Sequence, residues 1–299
     1  MIEFKNVTKK FGDFTAVEDI SFKVEPSSIY GLIGYNGAGK TTLLKTAAGI
    51  YKAEDGEVLM DGISTFDNAD IRKELFYIPD DLYFPMNATI KSMANFYADY
   101  YPDFSFDTLD KLCEVFGLDK NAKLNSFSKG MQRQAEMILG MSTNPLILLL
   151  DESFDGLDPA KRNLMNKMLV EYVAEKGCSV IVSSHNLHEL VDICDHIALI
   201  NGKKIVLDCC VNDISESRCK FRLVFNDEKT KEDFSDFDCT SINIDGRIIT
   251  VSIKGDADEA EERLKLMNPV LIERFPLSLE EIFLEEMEGS DYDFKEIFG

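Results

Sequence analysis

"GYNGAGKT", Gly34 to Thr41, follows the apolar run Ile29–Ile33 and opens onto "TLLKTAAG", whose apolar spacing is helical. It fits G-x-x-x-x-G-K-[ST] in the one context where that pattern has a mechanism, between a strand and a helix. Glycines let backbone N–H groups wrap a phosphate without Cβ clashes. Lys40 then reaches the β- and γ-phosphates, and the Thr41 hydroxyl ligates Mg²⁺. The helix, expected to start at Gly39, adds the positive end of its dipole. Asn36, Gly37, Ala38, Gly39, Lys40, Thr41 and Thr42 are therefore the candidate nucleotide-binding residues.

A second stretch, "LILLLDE" from Leu146 to Glu152, reads as a buried strand that delivers two carboxylates. Beside a phosphate loop, Asp151 is placed to hold Mg²⁺, and Glu152 to polarise an attacking water as general base. The two stretches together predict a nucleoside triphosphatase. No guanine-reading N-K-x-D run occurs, which favours ATP. A small-molecule kinase stays open at this point.

Composition narrows the partners. The formal net charge of −22 opposes a broad nucleic-acid footprint, which needs clustered Lys and Arg. An anionic ligand must then be held by local charge, helix N-termini or a metal. No run approaches the roughly 18 apolar residues of a membrane span, and the N-terminus "MIEFKNVTKK" lacks an apolar signal core. The chain is expected in the cytoplasm. Its seven cysteines form no C-x-x-C pair and read as reduced, mostly buried thiols. Its three histidines, His185, His188 and His196, do not suggest a metal centre, and the last two read as helix-surface and strand-end residues.

Along the chain, strands are expected at Ile2–Val7, Ile20–Val24, Ile29–Ile33, Glu57–Met60 and Phe76–Ile78. Helices follow over 86–119, and another over Ser128–Ser142. Then strand and helix alternate: Leu146–Leu150, Pro159–Glu175, Ser179–Ser183, Leu187–Ile193 and Ile197–Ile200. Alternation argues for a mainly parallel α/β sheet, with the helical region 86–142 inserted into it. Beyond about Asp213 the order changes to βαββαβ. Strands at Phe221–Phe225, Ser241–Ile244, Ile248–Ile253 and Val270–Phe275 are joined by helices at Glu228–Phe234 and Ala257–Met267. Asp245-Gly246 is a hairpin signal, and a last helix is expected at Leu279–Met287. That is the order of a ferredoxin-like domain. The expected partition is a nucleotide-binding domain over 1–212 and an α+β domain over 213–299, ending in a solvated acidic tail.

What surrounds the two motifs settles the kind of triphosphatase. "SFDGLDP" follows Asp151-Glu152, "SSH" ends a later strand, and "FSKGMQRQ", Phe127 to Gln134, precedes the Asp-Glu strand. Over roughly residues 1–210 this order resembles the ATP-binding subunit of ABC transporters. The resemblance implies a P-loop core with an N-terminal antiparallel β-subdomain and an inserted helical subdomain. It implies an adenine-stacking aromatic at Phe11, Walker A at Gly34–Thr42, Walker B ending at Asp151, and Glu152 as catalytic base. It also places Asp158 in the D-loop and makes His185 the residue facing the γ-phosphate. Ser128, Lys129 and Gly130 then form a signature motif that meets the nucleotide of a second subunit. ATP and Mg²⁺ are the implied cofactors. The implied partners are a second ATPase subunit, identical or paralogous, and a separate membrane permease that holds the chain at the cytoplasmic membrane face.

Two positions depart from the family's common text. "YIPDD" puts Asp80, or Asp81, where a metal-touching Gln usually stands. Asp80 thereby becomes a further candidate Mg²⁺ ligand that carries an extra negative charge. The signature L-S-G-G-Q becomes Phe127-Ser128-Lys129-Gly130-Met131, keeping the serine and the second glycine that meet phosphate. The S-K-G-M form, with the run "PLSLEEIFLEEM", resembles ABC-2-type exporters that keep ATPase and permease on separate chains, and peptides or toxic amphiphiles are the expected cargo. A soluble non-transport ABC ATPase, or an importer subunit with a regulatory C-terminal domain, are the competing readings. The aromatic-rich "NFYADYYPDFSF" serves equally as helical core or as a groove for a short permease helix.

Overall fold

The computed structural model describes residues 1–211, 218–277 and 281–282, and the chain divides into two compact units, Met1–Asp208 and Cys209–Gly299. The first unit begins with a hairpin, β1 (Ile2–Phe11) and β2 (Phe14–Val24), followed by β3 (Ile29–Ile33) and α1 (Lys40–Ala47). β4 (Asp55–Met60), β5 (Ile63–Ser64), α2 (Ala69–Lys73) and β6 (Leu75–Ile78) come next. Three helices follow, α3 (Ile90–Ala98), α4 (Phe106–Phe116) and α5 (Lys129–Ser142). The unit closes with β7 (Ile147–Asp151), α6 (Pro159–Lys176), β8 (Ser179–Ser184), α7 (Leu187–Val191), β9 (His196–Asn201) and β10 (Lys204–Cys210).

Two sheets result. One is antiparallel in the order β2-β1-β4-β5, and the other runs β10-β9-β3-β8-β7-β6. In the second, β6, β7, β8, β3 and β9 are mutually parallel. Its central strands are apolar on both faces because both faces are covered: every residue of β3, β7 and β8 is buried. Ile2, Phe4, Val17, Leu32, Leu43 and Leu149 belong to one core that joins the two sheets through α1. Parallel strands end on one edge. The Gly34–Lys40 loop, Glu152 and His185 leave β3, β7 and β8 side by side there, the position where open α/β sheets bind ligands.

The inserted helices are bounded by capping residues. Thr89 and Ser92 form a reciprocal capping box on α3, Ser105 caps α4, and Gly117 ends it in the left-handed region. Ser128 caps α5 by accepting from the Met131 N–H. Several boundaries differ from expectation. Gly39 is the residue preceding α1, at φ 109°, so the helix begins at Lys40. β1 and β2 run further, to Phe11 and from Phe14, because the hairpin pairs residues that look polar alone. β5, α2 and β10 went unpredicted; the first two are too short to show a period.

In the second unit β11 (Arg218–Val224), β12 (Cys239–Asp245), β13 (Ile248–Lys254), α8 (Ala257–Lys265) and β14 (Leu271–Pro276) form an antiparallel sheet ordered β12-β13-β11-β14. Helix α8 packs on Phe221, Leu223 and Val251 with Ala257, Ala260 and Leu264. This is the ferredoxin-like order with one correction. The helix expected at Glu228–Phe234 is a 3₁₀ turn, Lys231–Phe234, capped by Thr230 and Asp233. The Ser235-Asp236-Phe237-Asp238 that follows is poor helix-forming text, so one turn is all that forms. The helix expected at Leu279–Met287 and the acidic tail fall, apart from Glu281 and Ile282, outside the described residues.

One buried charge stands out. Glu136 of α5 is 6% exposed; Oε1 accepts from the Tyr97 hydroxyl at 3.0 Å, and Oε2 has no partner. Burial pushes its carboxyl up to about 7, against the smaller opposing effect of the Tyr97 bond. A folded-state pKa above the unfolded one makes the contribution to stability complete below the unfolded value, near 4.5, and lost as pH rises towards 7. Glu136→Gln removes the titration. Its stability gain over the parent in urea unfolding should grow from under about 1 kcal/mol at pH 5 to roughly 3 kcal/mol at pH 8. A constant difference across that range would show that Glu136 does not titrate there.

Candidate active site

The phosphate loop is shaped by contacts that leave no room for side chains. A Cβ on Gly34 would lie 2.6 Å from the Ile200 carbonyl oxygen, and one on Gly39 would lie 2.5 Å from Val17 Cγ1. The loop is thus pressed onto β9 on one side and β2 on the other, and Gly39 takes a positive φ besides. The loop's own backbone forces Lys40 inward. Its side chain is 5% exposed, and Nζ donates to the carbonyls of Gly34 at 2.6 Å and Tyr35 at 3.3 Å.

The third partner of Lys40 is Glu152. Nζ and Oε1 lie 3.0 Å apart, with the glutamate side chain 10% exposed. Glu152 is also the one non-glycine residue of this edge at positive φ, 47°. Its N–H donates to the Ser183 carbonyl and hydroxyl at 3.2 and 3.1 Å, which holds it in that strained conformation. Oε2 accepts from the His185 backbone N–H at 3.3 Å and lies 3.0 Å from His185 Nδ1. That hydrogen bond is the largest of the effects on His185 and raises its pKa.

Asp151 is fully buried, and both of its oxygens accept from neutral groups. The Ser183 hydroxyl donates to Oδ1 at 2.7 Å and the Tyr77 hydroxyl to Oδ2 at 3.1 Å. Burial, then the Asp151 charge, pushes the Tyr77 phenol up, so it stays a neutral donor. Neutral donors orient the carboxylate without cancelling its charge, which leaves it suited to a hard cation. Tyr77 and Ser183 escaped the sequence reading. Their only signal is position, near the ends of strands adjacent to β7.

The remaining predicted residues lie around this edge. Asn36, Gly37 and Thr41 are exposed, while Ala38, Gly39 and Thr42 are half-buried. Phe11 is 44% exposed; its ring meets Tyr51 edge-on at 5.3 Å, with the Lys9 ammonium 5.1 Å from its centre. Tyr51 is a neighbour that motif reasoning did not find. Asp158 caps α6 by accepting from the Lys161 N–H at 3.0 Å. Ser128 and Lys129 stand exposed at the start of α5, and a Cβ on Gly130 would lie 3.2 Å from the Gly156 carbonyl oxygen. Among the described residues no hydrogen bond joins Ser128, Lys129 or Gly130 to the phosphate loop of the same chain.

Two arrangements bear on the sequence reading. Arg133 Nη2 of α5 holds Asp80 Oδ1 at 2.7 Å, so this candidate Mg²⁺ ligand carries a cationic partner. Few as the histidines are, His185 does join a potential ligand cluster, since it, Glu152 and Asp155 offer ligand atoms within 4.8 Å of one another. The Lys40 ammonium on Glu152 opposes a cation there. His188 is exposed on α7, and His196 stacks on Tyr30 at 6.1 Å.

Because Lys40 and Glu152 satisfy each other out of water, removing one strands the other. Lys40→Met should lower the unfolding free energy of the nucleotide-free protein by about 3 kcal/mol. Adding Glu152→Gln should recover more than half of that loss. Purely additive losses in a urea double-mutant cycle would show that the pair is not coupled.

The sequence model of the ABC transporter family matches residues 17–155. The ABC transporter ATP-binding protein YtrB of Bacillus subtilis is 26% identical and is aligned over 97% of this chain and 99% of its own. From the same organism, the uncharacterized ABC transporter ATP-binding protein YhcH is 33% identical over 69% of this chain and 68% of its own. The bacitracin transport ATP-binding protein BcrA of Bacillus licheniformis is 26% identical over 74% of this chain and 73% of its own. Among solved structures, an ATP-binding subunit of an ABC transporter superposes with a TM-score of 0.66 at 25% identity, over 72% of this chain and 91% of that one. The chain belongs to the ATP-binding proteins of ABC transporters and is an ATPase.

Proposed function

We propose that the chain powers a separate membrane permease by closing with a second ATPase subunit around two ATP molecules, and that the complex is an ABC-2-type exporter. The observation that carries the dimer is that one chain holds only half of the constellation. Lys40, Glu152, Asp151 and His185 converge on the sheet edge, whereas Ser128 and Lys129 lie exposed with no bond to that loop. An exposed helix N-terminus that carries a serine hydroxyl is the kind of surface that binds phosphate, which supports this reading.

In this reading the nucleotide stacks its base on Phe11 and lays its phosphates along Asn36–Thr42. Phosphate takes Lys40 from Glu152, which releases the carboxylate to polarise water, while His185 faces the γ-phosphate and Asp158 lies at the subunit contact. The Thr41 hydroxyl and the Asp151 carboxylate are hard oxygen donors that fit Mg²⁺, which would neutralise phosphate charge there. Differential affinity of ATP for the closed and open pair of subunits then drives the cycle.

The domain partition proposed is an ATPase domain over 1–212, with a helical subdomain at 86–142, and an accessory domain over 213–299. Support for permease docking comes from an apolar groove lined by Arg72, Phe96, Tyr97, Tyr100 and Tyr101, where Phe96 and Tyr100 are more than half exposed. No helix among the described residues is long and apolar enough to cross a membrane. The exporter assignment is supported by the S-K-G-M text, and the likeness to BcrA, named for bacitracin transport, supports a peptide or toxic amphiphile as cargo.

Size-exclusion chromatography with light scattering tests the sandwich. Glu152→Gln should run as a dimer in saturating Mg·ATP, and Lys40→Ala as a monomer. If wild type and Glu152→Gln both stay monomeric, the identical pair is wrong and a paralogous partner takes its place.

A further inference from the structure

The ion pair between Asp80 and Arg133 joins residues 53 positions apart, and its two partners are anchored unequally. The Arg133 side chain is 12% exposed and Asp80 53%. Arg133 therefore sits fixed in α5, with a buried Nη1 that has no partner, while Asp80 reaches it from the loop after β6. One turn further along α5, Glu136 is bonded to Tyr97 of α3. The helix that begins at Ser128 is thus tied both to the inserted helices and to the edge of the core sheet.

That edge is already acidic. β6 and β7 are parallel neighbours, so the loop bearing Asp80 leaves the sheet beside Asp151 and Glu152. The principal cation there, Lys40, is paired with Glu152. An uncompensated Asp80 would put a third carboxylate where a triphosphate has to bind, and like charges in a partly desolvated site repel strongly.

We infer that Arg133 is a positioning residue for ATP hydrolysis, one that cancels the charge of Asp80 and holds it at the nucleotide edge as a neutral polar unit tied to the signature helix. A neutral pair leaves the local field as an uncharged side chain would. It also makes any displacement of α5 pull on the loop after β6, since the 2.7 Å ion pair links the two.

The inference rests on the proposed placement of nucleotide at this edge. Its test is a charge cycle on the full chain, read as the Kd for a non-hydrolysable Mg·ATP analogue by calorimetry and as KM and kcat for ATP. Arg133→Gln should raise Kd and KM about tenfold, the effect of one unbalanced charge at a phosphate site, while kcat changes less than about threefold. Adding Asp80→Asn should bring both constants back to within about threefold of wild type. Asp80→Asn alone alters an exposed residue, so it will fold; it leaves Arg133 uncompensated and should tighten nucleotide binding several-fold. Weaker binding by Asp80→Asn would overturn the inference, because Asp80 would then serve as a ligand. So would an Arg133→Gln defect that Asp80→Asn does not relieve. If the variants shift only the nucleotide-free Tm and leave Kd unmoved, the pair is structural and the inference falls. Wild type that binds no nucleotide at all would instead defeat the placement on which it rests.

Discussion

The buried contact between Lys40 and Glu152 is the constraint on which the site depends. Two opposite charges, each about nine-tenths out of water, persist only because each is the other's partner and both have further hydrogen bonds. Lys40 uses the carbonyls of its own loop, and Glu152 uses the His185 N–H and ring. The pair thereby welds three strand ends, those of β3, β7 and β8, into one edge. It also couples the lysine that ends the phosphate-loop motif to the first residue after β7.

Holding that edge together takes strain and close packing. Glu152 adopts a left-handed conformation that costs on the order of 1 kcal/mol for a residue with a Cβ. Two hydrogen bonds to Ser183 hold it there, and β8 is fully buried, so Ser183 cannot drift. Gly34 and Gly39 let the loop lie against β9 and β2 at distances no side chain would allow. The antiparallel sheet is therefore part of the site's support, since Val17 of β2 forms the wall behind Gly39.

Much of this was legible in the text. The P-loop, the apolar strand ending in Asp151-Glu152 and the serine cap of α5 are short-range features: a turn, a period and a cap, each written in adjacent residues. Ser128 was read as a helix start, and it caps α5 as such a residue should. The order of strands and helices gave the parallel sheet because helical crossovers force parallel neighbours. Failures came where hydrogen-bond pairing or the flanking residues, and not the apolar pattern, set an element's extent. β1 and β2 outran their apolar stretches because pairing, and not composition, extends a hairpin. The 3₁₀ turn at Lys231–Phe234 had the pattern of a helix but lacked the length to form one.

The sequence by itself determined the kind of protein: where the phosphate-loop motif lies, which carboxylates end the buried strand, and that the chain is an ABC transporter ATPase. Local spacing suffices for that, because a phosphate loop and a cap are made by neighbours. Only the tertiary structure decided the pairings. Tyr77 on Asp151, Ser183 bridging Asp151 and Glu152, and Arg133 on Asp80 join residues dozens of positions apart. Such contacts depend on strand order and helix packing, and no window of sequence contains both partners. Asp80 shows the difference plainly: alone in the text it is an extra negative charge, and in the fold it is half of a neutral pair.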